Sequence, residues 1–177
     1  MSLRRSGATR GWAARALIAG AMAAAMLSPL GAQPVVSTAV AELPMPMPAV
    51  PKAADLVQFE FNTTSRHHFA FDPASMLLRG TAILQLTIVV TTSGGAVNVS
   101  YEGFDCRNAT HRLLAIASAD GSWQPVENSQ WVGTRSAGLV LGQHHAIYKA
   151  ACSGGGLSGE RDLIVRRLVN PPNDIYR

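Results

Sequence analysis

The chain has 177 residues, with 15 Lys plus Arg against 11 Asp plus Glu and a formal net charge of +4. The excess comes from Arg4, Arg5, Arg10 and Arg15 alone, so from Glu42 onward basic and acidic residues balance at 11 each. A neutral body without a basic stripe excludes nucleic acid and anionic membrane surfaces as partners held by bulk electrostatics, and its length suits one domain.

The four arginines flank or precede an alanine-rich apolar run, Ala16–Leu27, which Pro29 and Gly31 end. A basic region, an apolar region and small residues, in that order, are the signature of a secretory signal peptide. The run falls short of the ~20 residues that a membrane-spanning helix needs. Residues 1–41 are therefore read as a signal peptide cleaved after Ala39-Val40-Ala41, with cleavage after Ala32 as the alternative. The expected location is the periplasm, with no stable membrane insertion once the signal is removed; Arg4-Arg5 leaves a twin-arginine route open, although no apolar pair follows it.

Residues 42–54 carry prolines at 44, 46, 48 and 51, which predicts an extended Pro-rich linker. The domain itself is placed at 55–170, with 171–177 as a C-terminal tail. From Leu56 the pattern turns to strands: Val57, Phe59 and Phe61 alternate with polar residues up to the turn-prone Asn62-Thr63-Thr64-Ser65. A second short strand is read at His67–Phe71, a turn at Asp72-Pro73 and a third strand at Ser75–Leu78. The strongest strand is Thr81–Thr91, with Leu84, Leu86, Ile88 and Val90 on one face and Gln85 and Thr87 on the other. Ser93-Gly94-Gly95 predicts a hairpin into the strand bearing Val97, Val99 and Tyr101. A strand at Arg112–Ser118 ends at Asp120-Gly121, and Trp123 and Trp131 are expected to cover the sheet edge. Leu141, His144, Ile147, Tyr148 and Ala151 then recur at helical spacing. After the glycine-rich Ser153–Gly159, Ser158 is expected to cap a second helix, Gly159–Val169, which Asn170-Pro171-Pro172 stops. The fold class is α+β: one small domain, an antiparallel sheet followed by C-terminal helices.

Cys106 and Cys152 make an even pair, and in an exported protein such a pair is read first as a disulfide, with two separate buried thiols as the alternative. Neither belongs to a C-x-x-C pair, which argues against redox catalysis.

Two constellations carry candidate chemistry. Glu102 and Asp105 lie three residues apart where a strand meets a turn, a spacing open to paired-carboxylate hydrolysis; otherwise Glu102 satisfies backbone or an arginine and Asp105 caps the turn. His67, His111 and His144 supply imidazoles of the type that zinc or copper prefers. In the pairs His67-His68 and His144-His145, neighbours on a strand point to opposite faces, so each pair offers one ligand to one site. Ser153-Gly154-Gly155-Gly156 lacks the lysine and the strand-to-helix setting of a phosphate loop, and no cofactor is expected. Asn62, Asn98 and Asn108 begin Asn-x-Ser/Thr triplets, which matter only in a eukaryotic secretory pathway.

The segment Thr91-Thr92-Ser93-Gly94-Gly95-Ala96-Val97-Asn98-Val99-Ser100-Tyr101-Glu102-Gly103-Phe104-Asp105-Cys106, followed by Ala119-Asp120-Gly121-Ser122-Trp123 and Trp131, resembles the cryptic neisserial protein-like family of exported bacterial proteins. The likeness extends in weaker form from about Leu56 to Val169 and includes Cys152. It implies an uncharacterised cell-envelope protein and carries over no catalytic residue. The leading expectation is a non-enzymatic accessory or binding domain whose partner is an envelope protein or small ligand. The alternatives are a small envelope hydrolase using Glu102 and Asp105, or a histidine-based metal-binding protein.

Overall fold

The computed structural model describes residues 42–44, 46–60, 65–135 and 142–172. These all fall within one compact unit, Val35–Arg177. Residues 1–41, Phe61, Asn62-Thr63-Thr64, Leu141 and 173–177 lie outside the described residues, and with them the expected signal peptide, both expected cleavage sites, the expected turn and most of the expected tail.

Among the described residues, seven strands form one antiparallel sheet. In chain order they are β1 (Val57–Gln58), β2 (His68–Arg79), β3 (Ile83–Thr91), β4 (Val97–Asp105), β5 (Thr110–Ala117), β6 (Trp123–Pro125) and β7 (Val132–Gly133). β1 to β6 are neighbours in that order, while β7 pairs with the Thr110 end of β5. Helix α1 (Gln143–Ala151), a two-stranded hairpin of β8 (Cys152–Ser153) and β9 (Gly156–Leu157), and helix α2 (Arg161–Val169) follow. The α+β reading, with an antiparallel sheet and C-terminal helices, is therefore found. No helix among the described residues is long and apolar enough to cross a membrane.

The central hairpin follows from alternation and one turn. β3 and β4 pair without a break from Ile83↔Asp105 to Thr91↔Val97. Gly95, at φ 85°, supplies the left-handed residue that closes the turn, and its N–H donates to the Thr92 carbonyl. Leu84, Leu86 and Ile88 fill the inner face and pack with Phe71, Met76 and Phe104 from the neighbouring strands. Ala146, Ile147, Ala150 and Ala151 of α1 and Ile164 and Leu168 of α2 complete that core. Their three- and four-residue spacing puts one apolar stripe of each helix on the sheet.

Gln85 and Thr87, on the opposite face, are fully buried as well, because that face is also covered. Tyr101, Leu114 and Ala115 form a second cluster there with Leu43, and Met47 and Trp123 pack against it. The Pro-rich segment lies along this face. The Glu42 carbonyl accepts from Gln85 Nε2 at 3.0 Å, the Glu42 carboxylate pairs with Arg112 at 3.2 Å, and the Pro48 carbonyl accepts from Trp123 Nε1 at 2.8 Å. Trp123 is thus part of edge strand β6. Trp131 lies over the face of the sheet, where an added Cβ on Gly103 would meet its ring at 3.4 Å and the Arg112 guanidinium sits 5.8 Å from its centroid.

Two expectations are corrected. Asp72-Pro73 is not a turn between strands: β2 runs through it with an irregularity between Asp72 and Leu77. Pro73 has no N–H to give to a ladder, and side chains replace the missing bonds. Asp72 Oδ1 accepts from the Ala74 N–H, while Ser75 Oγ donates to the Asp72 carbonyl at 2.7 Å and accepts from the Thr87 N–H at 2.8 Å. Ser158 does not cap the second helix, which begins at Arg161 after Glu160. Its hydroxyl donates instead to the Ala150 carbonyl at the end of α1, satisfying one of the acceptors that a helix C-terminus leaves open.

The Cys106–Cys152 disulfide is present. It joins the residue after β4 to the residue after α1 and fixes that helix against the sheet.

Candidate metal centre

Three polar side chains meet beneath α1. On β4, Glu102 and Phe104 share the inner face, and the β4–β5 register sets Phe104 opposite His111 and Glu102 opposite Leu113. Glu102 and His111 are therefore diagonal neighbours, within reach for long side chains. His144, on the first turn of α1, comes down on the same spot. Its ring stacks on that of His111, with centroids 3.7 Å apart and planes at 14°. The Phe104 ring lies 6.0 Å from His111 and 6.2 Å from His144, closing the site on its apolar side.

Glu102 Oε2 stands 2.9 Å from His144 Nε2 and 3.4 Å from His111 Nδ1, and the other carboxylate oxygen accepts from Ser100 Oγ at 2.8 Å. All three residues are at least 92 % buried. Burial pushes the Glu102 carboxyl up, but polar contacts from His111 and His144, the attraction of His144 and the Ser100 hydroxyl outweigh it and hold the group at about 2. The carboxylate is thus ionised inside the protein.

Distance and direction disagree at this cluster, and the disagreement is informative. Oε2 is close to both rings, yet it has no partner in hydrogen-bond geometry, nor have either nitrogen of His111 and Nδ1 of His144. Buried polar atoms are rarely left so. One donor atom from each residue lies within 4.8 Å of the other two, a spacing suited to a shared ion. Ligands of a tetrahedral zinc with bonds of 2.0–2.1 Å sit about 3.4 Å apart; the His111 Nδ1–Oε2 distance of 3.4 Å matches that value, and the His144 Nε2–Oε2 distance of 2.9 Å is shorter and would have to open by about 0.5 Å. Two imidazoles and one carboxylate are a set that zinc and other borderline divalent metals accept, with one or more positions left open.

The other sequence candidates are elsewhere. Asp105 lies three residues beyond Glu102, on the opposite face of the strand. It closes the β4–β5 turn, accepting from the Arg107 N–H at 2.9 Å and from Asn108 Nδ2 at 2.7 Å. The Glu102–Asp105 pair is not assembled. His67 lies near the β3–β4 turn, where its Nδ1 accepts from the Ser93 N–H at 3.1 Å. Of the three histidine candidates the fold brings together His111 and His144, and adds Glu102. The signal that joins them is the hairpin register: once Asp105 pairs with Thr110, Glu102 and His111 must share a face two residues out of step.

A separate cleft opens on the other side of α1. Its walls include Thr134, Arg135, His145, Tyr148, Lys149 and Ser153, which no single sequence motif links. Burial lowers the His145 pKa, and the positive charges of Arg135 and Lys149 lower it further.

The chain matches the CNP1-like family over residues 37–169, most of its length, and so belongs to that family, whose members are uncharacterised. The match covers the stretch over which the sequence resemblance was drawn and is compatible with it. No curated protein and no solved structure matches the chain.

Proposed function

We propose that this CNP1-like protein is an exported envelope protein that binds one divalent transition-metal ion, zinc-like in preference, through Glu102, His111 and His144. The observation that carries the reading is the convergence of a buried, ionised carboxylate and two buried imidazoles whose polar atoms lie close together but lack properly directed hydrogen bonds. A metal ion would satisfy the Oε2 lone pair and one nitrogen of each ring together, once the stacked His111 and His144 rings turn so that both in-plane lone pairs meet at it.

The role is binding rather than turnover. Ser100 and Phe104 close the carboxylate and ring sides, and the paired carboxylates that a hydrolase would use are split between two faces of β4. Export is supported by the basic, apolar and small-residue order of residues 1–41 and by the disulfide in the folded domain.

The test is native mass spectrometry of the chain from Glu42 onward after incubation with zinc and removal of excess ion. One zinc per chain is expected in the wild type, with none retained by His144→Ala or Glu102→Gln. A wild-type chain that emerges without metal, or variants that retain it equally, overturns the reading.

A further inference from the structure

The cleft beside α1 is a second site with different chemistry. It has a volume of about 470 Å³, within the range of small-molecule pockets. Two cationic side chains and a histidine reach it from two segments: Arg135, just beyond β7, and Lys149 with His145 from successive turns of α1. No carboxylate lines it among the described residues. The ion pairs among the described residues involve neither Arg135 nor Lys149. This concentration of charge is local, since the chain from Glu42 on balances acidic and basic residues overall.

Like charges gathered in a concave wall repel one another and gain little from water that the wall displaces, so the arrangement is favourable when an anion sits among them. The donors suit such an occupant. Arg135 offers a planar fork that matches carboxylate or phosphate, Lys149 a point charge, and Thr134, Tyr148 and Ser153 neutral hydroxyls. The remaining wall is less polar: Ala109, the Cys152 half of the disulfide, and the Tyr148 ring, which lies 6.1 Å from that of His145 with planes at 20°. The volume exceeds what a single inorganic phosphate fills, which leaves room for a body attached to the charged head.

We propose that this cleft binds a small anionic molecule through its phosphate or carboxylate group, with Arg135 and Lys149 as the charge-bearing contacts and Thr134 and Ser153 as hydrogen-bond donors. The site is independent of the Glu102–His111–His144 cluster, which faces the sheet on the other side of the same helix.

The test is a nuclear magnetic resonance titration of metal-free protein at constant ionic strength, with inorganic phosphate in one arm and citrate in the other. Saturable shifts of the Arg135, Lys149, Ser153 and Gly154 amides are expected, in the phosphate arm for a phosphoryl ligand and in the citrate arm for a carboxylate. Arg135→Ala with Lys149→Ala should weaken binding at least tenfold. Both residues are at or near the surface, so this variant should keep the wild-type spectrum elsewhere. His144→Ala should bind the anion as the wild type does, which separates this outcome from any failure at the metal centre. Absence of saturable shifts in both arms, or equal binding by the double variant, overturns the proposal.

Discussion

Reducing the Cys106–Cys152 bridge, with no change of sequence, should lower the stability of the folded protein by about 4 kcal/mol. The bridge spans a sequence separation of 46. In the chain-entropy model, tying a loop of that length removes about 13.5 cal/mol/K from the unfolded ensemble, or about 4 kcal/mol at 25 °C. That is a large share of the 5–15 kcal/mol typical of a domain, so reduction is expected to leave the protein marginal rather than merely softened. The assay is urea denaturation followed by circular dichroism, with and without a phosphine reductant. For an m-value of roughly 2 kcal/mol/M the midpoint should fall by about 2 M. A drop of less than about 0.5 M would refute the reasoning, since it would mean that the bridge removes little conformational freedom from the unfolded chain.

Three further outcomes follow from individual contacts. Glu102 is held at about 2 against an ordinary value of 4.5, so it contributes stability that is complete above about pH 4.5 and lost as pH falls towards 2. The wild type should lose stability across that window, and Glu102→Gln should show a flatter acid profile in the same denaturation series. Ser75→Ala removes the hydroxyl that bridges the Asp72 carbonyl and the Thr87 N–H, leaving a buried donor without its partner; a loss of about 1–3 kcal/mol is expected by thermal or urea unfolding. Tyr101 is pushed up to about 12 by burial, only partly opposed by Arg79, so its neutral form supports the fold. Ultraviolet titration should show this phenol ionising late, and stability should decline as pH rises from about 10 towards 12; ionisation near 10 would show that the outer face is wet.

What the sequence disclosed depended on how local the cause was. The β3–β4 hairpin was legible because Ser93-Gly94-Gly95 and the alternation on either side act within about twenty residues. The helical stripes of α1 and α2 and the cysteine pair were legible for similar reasons. The misreadings share another origin, the use of a residue by a distant partner. Pro73 signals a turn when read alone, but Ser75 and Thr87 stitch the strand across it. Ser158 suits a helix start, yet its hydroxyl is taken by Ala150 behind it. Gln85 and Thr87 alternate as on a wet face and are buried because Glu42, Leu43 and their neighbours cover them, a contact that no periodicity encodes. The candidate centre was half visible. His111 and His144 stood out as residue types, but the recruitment of Glu102 in place of His67 needed the β4–β5 register, and the cleft around Arg135 and Lys149 needed the packing of α1 beside β7.

The covering of the outer face bears on the order in which the domain is built. Gln85, Arg112 and Trp123, the residues that hold the segment around Glu42 to Pro48, follow their partners by 43, 70 and 75 positions. A chain synthesised from its N-terminus delivers this segment before the surface that receives it exists, and each long closure carries a loop-entropy cost that only a formed sheet repays. Docking of the strap is therefore expected to come late. A sheet assembled without it would leave Tyr101, Leu114 and the amide of Gln85 uncovered on one side, so a chain lacking the segment around Glu42 to Pro48 is expected to aggregate more readily than one that carries it.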